Sequence, residues 1–199
     1  MFKLSSCKNL QNKISKPNNI LIKNIIKFNK QLSRSSKFLI LTKMVKADKI
    51  KACLPFQLKG MVVKGFGRGS KDLGIPTANF PESVVESIPD DISTGVYYGW
   101  AQVDQGPVHK MVMSIGWNPF YSNQKKSAET HILHKFDRDF YNSTLSVIIT
   151  GYWREEKNYD SLEALIDDIN NDIKVAKQML DTETHSVYKT DSFFTPPKL

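Results

Sequence analysis

The stretch Gly65-Phe66-Gly67-Arg68-Gly69-Ser70-Lys71 sets three glycines at alternate positions, with two cations among and beside them. Glycine lets backbone N–H groups come close to an anion because no Cβ stands in the way. Arg68 and Lys71 add positive charge at the same place. Such a loop can cradle a phosphate, or it can be an ordinary hairpin connection. It is not a P-loop: Gly69 and Gly74 have the right separation, but Ile75-Pro76 stands where Lys-Ser/Thr is required. Nor is it a dinucleotide fingerprint, since Asp72 occupies the third glycine position. The next four residues, Pro76-Thr77-Ala78-Asn79, carry a second pattern. Pro76 biases Ile75 toward an extended conformation. In an extended segment positions i and i+2 point the same way, so the Thr77 hydroxyl and the Asn79 amide converge on one side. Two neutral oxygens suit a Mg²⁺ ion that already bridges nucleotide phosphates, adding geometry without competing for charge. The same residue types also cap turns, and spacing alone fits both roles.

Glu129-Thr130-His131-Ile132-Leu133-His134 reads as a strand with Glu129, His131 and Leu133 on one face and Thr130, Ile132 and His134 on the other. A carboxylate among apolar strand residues can act as a general base; a Glu on the surface of an edge strand is the alternative. The two histidines fall on opposite faces and make a weak zinc pair.

The elements that must position these groups are mostly strands. Leu58–Lys64, Val96–Val103, Lys110–Ile115, Glu129–Phe136 and Thr144–Trp153 are rich in Val, Ile, Tyr, Trp and Thr and are bounded by turn residues. No helical pattern alternates with them, which favours an antiparallel barrel or sandwich over a parallel sheet. One helix follows. Asp160 is the expected N-cap, with Glu163 three residues on, and Leu162, Leu165, Ile166, Ile169, Ile173, Ala176 and Leu180 form a stripe read as a packing face. Residues 182–199 are expected to be a loose tail or a short return segment.

The net charge of +8 invites a nucleic-acid reading, but its distribution opposes one. Of the 28 Lys and Arg, 11 stand in residues 1–47, ahead of the first acid, Asp48; the remaining 17 face 20 acids, a net charge of −3. Phosphate-backbone binding needs basic side chains clustered on the folded surface, so no nucleic-acid partner is expected. Cys7 and Cys53 are the two cysteines, and no zinc-type spacing is present. Ile20–Phe28 is interrupted by Lys23 and Lys27, so no membrane span is expected. In the acid-free extension, Leu21, Ile25, Phe28 and Leu32 share one helical face and Lys23, Lys27, Lys30 and Arg34 the opposite one, with Ser33, Ser35 and Ser36 following. That is the pattern of a mitochondrial targeting peptide; the alternative is a solvated tail on a cytoplasmic protein, with Met44 as an internal start.

From about residue 58 to 181 the chain resembles the riboflavin kinases (flavokinases) of the eukaryotic monofunctional type, and the kinase module of bacterial bifunctional FAD synthetases. The matching segments are Gly65–Lys71, Leu73–Phe80, Thr94–Trp100, Ser114–Pro119, Glu129–Ile132 and Gly151-Tyr152 through Leu162. The resemblance implies a mainly β fold, a six-stranded antiparallel Greek-key barrel with a C-terminal α-helix. It implies an ATP:riboflavin 5′-phosphotransferase that makes FMN and ADP and acts as a monomer on small molecules. Gly65, Gly67, Arg68, Gly69, Ser70, Lys71, Ile75, Pro76, Ile132 and His134 would meet the nucleotide. Thr77 and Asn79 would ligate Mg²⁺, with Zn²⁺ the alternative ion, Glu129 would be the catalytic base, and Arg154, Glu156 and Tyr159 would meet the flavin. The expected divisions are residues 1–47 as extension, 54–185 as kinase domain and 186–199 as tail. Glu155 departs from the family, which often has Pro there. The histidine-rich nucleotidyl-transfer motif of the bifunctional enzymes is absent, so synthesis is expected to stop at FMN. Outside this family, an oligonucleotide-binding barrel and a flavin-binding protein without catalysis are the rival readings. A fluorescent reporter fused to residues 1–47 is expected to enter mitochondria; a diffuse cytosolic signal would remove the targeting assignment.

Overall fold

The computed structural model describes residues 34–65, 73–117 and 126–195. The chain divides into two compact units, residues 1–53 and 54–199. In the first unit, α1 (Arg34–Ala52) is a 19-residue helix with no acid in its first turn and Lys49 and Lys51 in its last. The basic cations at its C-terminus complement the helix dipole. The helical pattern anticipated over Leu21–Arg34 lies outside the described residues save for Arg34. Cys53 forms no disulfide among the described residues.

The second unit is built on one antiparallel sheet. Its strands are β1 (Phe56–Met61), β2 (Ala78–Asn79), β3 (Gly95–Val103), β4 (Val108–Trp117), β5 (Lys126–Ile132) and β6 (Thr144–Arg154). They lie in the spatial order β1-β6-β3-β4-β5-β2, with a four-residue helix, α2 (Glu82–Val85), between β2 and β3 in the chain. Strands β3, β4 and β5 follow one another as a meander, and β6 returns to lie beside β3, which is a Greek key. The sheet curls until its two edge strands approach: Val63, just past β1, bridges Asn79 of β2, and its N–H donates to the Asn79 carbonyl at 3.0 Å. The architecture is the mainly β, six-stranded Greek-key arrangement expected, curled into a half-barrel, with the long helix after the last strand.

Alternation divides the side chains between two packing layers. Tyr97, Ala101, Met111, Met113, Ile115, Leu145, Val147 and Ile149 are fully buried inside the curl. On the outer face, Tyr98, Trp100 and Ile148 pack with Ala176 and Leu180 of α3 (Leu162–Leu180) and with Phe194. Strand β3 is therefore covered on both faces, which is why it reads as a continuous apolar run rather than an alternating one. Gly99 and Gly151 make the close approaches possible: a Cβ on Gly99 would strike the Ile148 carbonyl and the Met111 side chain, and one on Gly151 would strike Tyr98.

Two expectations change, and one open alternative is resolved. The N-cap of α3 is Ser161, whose Oγ accepts from Ala164 N–H at 3.2 Å, rather than Asp160. The hydroxyl stands three residues before that orphan donor, the spacing an N-cap needs. The apolar stripe of α3 is only partly a packing face. Ala176 and Leu180 are buried, but Leu165, Ile166, Ile169 and Ile173 are half-exposed and Leu162 is 52% exposed. The residues after α3 are a return segment, not a loose tail, as far as Thr195: α4 (Glu183–Ser186) and a 3₁₀ turn (Val187–Thr190) lead to Phe194, which is 5% exposed in the outer core. His185 ties this segment down. Its carbonyl accepts from Trp100 Nε1 at 2.9 Å, and its Nε2 lies 3.3 Å from the Tyr98 hydroxyl. No helix among the described residues is long and apolar enough to cross a membrane.

Candidate active site

Strand β2 is only two residues long, yet it fixes the site. After Pro76 the chain runs extended and pairs with β5, placing Asn79 opposite Glu129 and Ala78 opposite Thr130. Ala78 and Thr130 go inward. Glu129 is itself opposite Ser114 of β4, so the carboxylate sits where three strands meet. The Thr77 hydroxyl donates to Glu129 Oε2 across 3.4 Å, a long bond between residues 52 positions apart. Thr77 and Asn79 thus share one side, as the i, i+2 pattern requires, and the strand pairing puts Glu129 beside them. Asn79 is 6% exposed, and the backbone of Gly65 lies against its carboxamide; a Cβ at Gly65 would stand 2.5 Å from Asn79 Nδ2. Glycine is needed there for contact, not for an unusual φ.

His131 holds the turn that leads into β2. Its Nδ1 is 2.8 Å from the Pro76 carbonyl oxygen. A carbonyl can only accept, so Nδ1 carries the proton and Nε2 is left as the acceptor of the neutral ring. Burial lowers the pKa of His131; the bond to Pro76 works in the opposite direction and Lys177 adds to the lowering. The ring is therefore held neutral while it anchors the segment that carries Thr77 and Asn79.

A second set of groups gathers beyond β6. Arg154 bonds Asp172 of α3 through Nε and Nη2, each at 2.7 Å, and its Nη2 also donates to the Tyr159 hydroxyl at 2.9 Å. Tyr159 in turn donates to Asp168 at 3.0 Å, and Lys157 reaches the same carboxylate at 2.6 Å. Glu156 lies over β4: a Cβ on Gly116 would strike its carboxylate. Gly116 is two residues along β4 from Ser114, the partner of Glu129. The two sets thus flank one stretch of the outer sheet face, next to the half-exposed apolar start of α3.

A family model described as "Flavokinase: Riboflavin kinase" matches residues 52–180. The riboflavin kinase of Mus musculus is 62% identical over 145 residues, which covers 73% of this chain and 94% of the mouse protein. That of Homo sapiens is 61% identical over the same length and with the same coverage. The chain belongs to the riboflavin kinase family. Among solved structures, riboflavin kinase from Trypanosoma brucei superposes with a TM-score of 0.58 at 29% identity, covering 72% of this chain and 90% of that one.

The residues anticipated for this flavokinase site fall into three groups and a scattered remainder. Thr77, Asn79, Glu129 and Gly65 come together. Arg154, Glu156 and Tyr159 form the second set, with Arg154 and Tyr159 committed to bonds with α3. Gly67, Arg68, Gly69, Ser70 and Lys71 lie outside the described residues. Of the rest, Ile75 is half-buried and Pro76 exposed. Ile132 is buried on the inner face. His134 lies past the end of β5, where its N–H bonds the Ile132 carbonyl, and its ring stacks on His109 at 4.0 Å between centroids. Extending the strand to Phe136 overran this bend. His109, His131, Asp168 and Asp172 were not singled out as site residues. His131 had a signal, since it shares a face with Glu129; the two aspartates of α3 had none beyond their position on a helix that must pack. Among the described residues no group of three or more His, Cys, Asp or Glu could hold a metal ion.

The neutral His131 gives a pH test. Its folded pKa is lowered below the ordinary 6.5, so between the two values the unfolded chain binds more protons and stability falls as pH falls. The loss begins near pH 6.5 and is complete below the folded value. His131→Gln keeps a donor for Pro76 but cannot titrate. Its denaturation midpoint is expected to decline less steeply than wild type between pH 7.5 and 5; identical slopes would remove His131 from the account.

Proposed function

We propose that the chain transfers the γ-phosphate of ATP to the 5′-hydroxyl of riboflavin, giving FMN and ADP, at the place where β2, β5 and β4 meet. The observation that carries this reading is the Asn79–Glu129 register, which sets two neutral oxygen donors beside a carboxylate in a chain of this family. The protein's work in phosphoryl transfer is mostly positioning and charge neutralisation.

The donor set fits a divalent ion shared with phosphates. Thr77 and Asn79 supply uncharged oxygens, and Asn79 is kept in place by burial and by Gly65. They would hold Mg²⁺, which when bound neutralises charge on the β- and γ-phosphates. Zn²⁺ is the alternative ion, and metal-substituted assays separate the two. The glycine-rich loop through Lys71 would cover the phosphates with backbone N–H groups, with His134 toward the rest of the nucleotide; Ile132 packs beneath on the inner face and would support this edge rather than touch the nucleotide. Glu129 would accept the proton of the attacking hydroxyl. The half-exposed Leu165, Ile166, Ile169 and Ile173 offer an apolar wall for the flavin ring, which Arg154, Glu156 and Tyr159 would border. All of these residues lie on one chain, so a monomer suffices. The acid-free extension, residues 1–47, would act as a mitochondrial targeting segment and take no part in the chemistry.

Two substitutions should fail in different ways. Glu129→Gln keeps the volume but cannot take a proton, and kcat is expected to fall about 10²–10⁴-fold with both KM values nearly unchanged. A loose transition state asks little of a base until late in the transfer, which favours the lower end. Asn79→Ala should instead raise the Mg²⁺ concentration for half-maximal rate. A folded Glu129→Gln enzyme with nearly full kcat, or an Asn79→Ala enzyme with wild-type metal dependence, would refute the corresponding role.

A further inference from the structure

Asp172 lies midway along α3 and is 4% exposed. A carboxylate is rarely found so deep unless it is paired. Its Oδ1 accepts from Trp153 Nε1 at 3.1 Å and from Arg154 Nε at 2.7 Å, and its Oδ2 accepts from Arg154 Nη2 at 2.7 Å. The two bonds to Arg154 form a guanidinium–carboxylate fork, which fixes orientation as well as distance. Arg154 then passes that order on. Its Nη1 donates to the Glu155 carbonyl at 3.0 Å and its Nη2 to the Tyr159 hydroxyl at 2.9 Å. Four of the five N–H groups of the guanidinium are thereby used inside the protein, leaving one for a ligand. Burial works to lower the Arg154 pKa, but the bonds and charge of Asp172 outweigh it and the net shift is upward. The outer part of the network is different in kind: the Lys157–Asp168 pair is more exposed, where an ion pair contributes little.

We propose that Asp172 is a positioning residue for riboflavin, fixing Arg154 and through it the segment Glu155–Tyr159 so that the flavin meets a preformed edge. This rests on the reading of Arg154, Glu156 and Tyr159 as flavin contacts. With both oxygens bonded inside the protein, Asp172 would act through Arg154 rather than by contact with substrate. It acts by removing the freedom that the segment would otherwise lose on binding, so its effect belongs to flavin affinity and not to phosphoryl transfer.

The test is Asp172→Asn in the full chain, with riboflavin and ATP varied separately. Asn keeps the size and one acceptor oxygen but loses the charge and the second half of the fork. Riboflavin KM is expected to rise about tenfold or more, while ATP KM and kcat at saturating riboflavin stay within about threefold. An unchanged riboflavin KM, or equal losses with both substrates, would overturn the proposal. Tyr159→Phe is measured alongside. If it raises riboflavin KM and Asp172→Asn does not, the positioning role fails and the flavin assignment stands; if neither does, both fail. Should Asp172→Asn not fold, Trp153→Phe takes its place, since it removes one bond from Asp172 and leaves Arg154 intact. A selective rise in riboflavin KM then supports the proposal, and no rise overturns it.

Discussion

The pairing of Ala78 and Asn79 with Thr130 and Glu129 is the constraint on which the site depends. A strand of two residues cannot hold itself in place, because two ladder positions do not offset the entropy of ordering the chain on either side. It is held from three directions. Val63 bridges to Asn79 across the seam of the curled sheet, His131 bonds the Pro76 carbonyl, and Gly65 brings its backbone onto the Asn79 carboxamide. A slip of one residue would turn Asn79 away from Glu129 and bring Ala78, now inward-facing, to the outer face. The barrel edge and the chemistry therefore share one register.

The rest of the second unit supports the same surface. The outer sheet face carries Glu129 and His131 at one end of the curl and Tyr98, Trp100 and Ile148 under α3. The helix divides along its length. Its C-terminal half is sealed by Ala176, Leu180 and Phe194, while its N-terminal half keeps apolar side chains partly in solvent and is joined to β6 through Asp172 and Arg154. One half contributes stability; the other keeps a half-exposed apolar strip, which the proposed flavin site would use. An exposed apolar strip beside polar, convergent groups is the usual composition of a small-molecule site.

Much of this could be read from the residues, and the remainder has physical reasons for being hidden. The strands showed because β-branched and aromatic residues alternate between turns. The Thr77–Asn79 pair showed because Pro76 forces extension. The strand character of Ala78-Asn79 did not, since two residues carry no period and the partner lies 50 residues away. The N-cap was misplaced by one because Asp160 and Ser161 are both good caps and only the geometry distinguishes them. The α3 stripe looked like a uniform packing face because periodicity reports which side is apolar, not how much of it is covered. Asp172 looked like any polar position on a helix, and its burial depends on an arginine 18 residues earlier that periodicity cannot connect to it.

If the β2–β5 register makes the ion-holding pair and the base one machine, their losses must not multiply. A double-mutant cycle on the rate between Asn79→Ala and Glu129→Gln, at saturating substrates and one fixed, subsaturating Mg²⁺ concentration, reads this directly. The account predicts strong coupling: the double variant should be slower than the worse single variant by no more than about threefold, as found for groups that act as a unit. Losses that multiply, with each variant folded, would contradict it and show that the base works independently of the ion-holding pair.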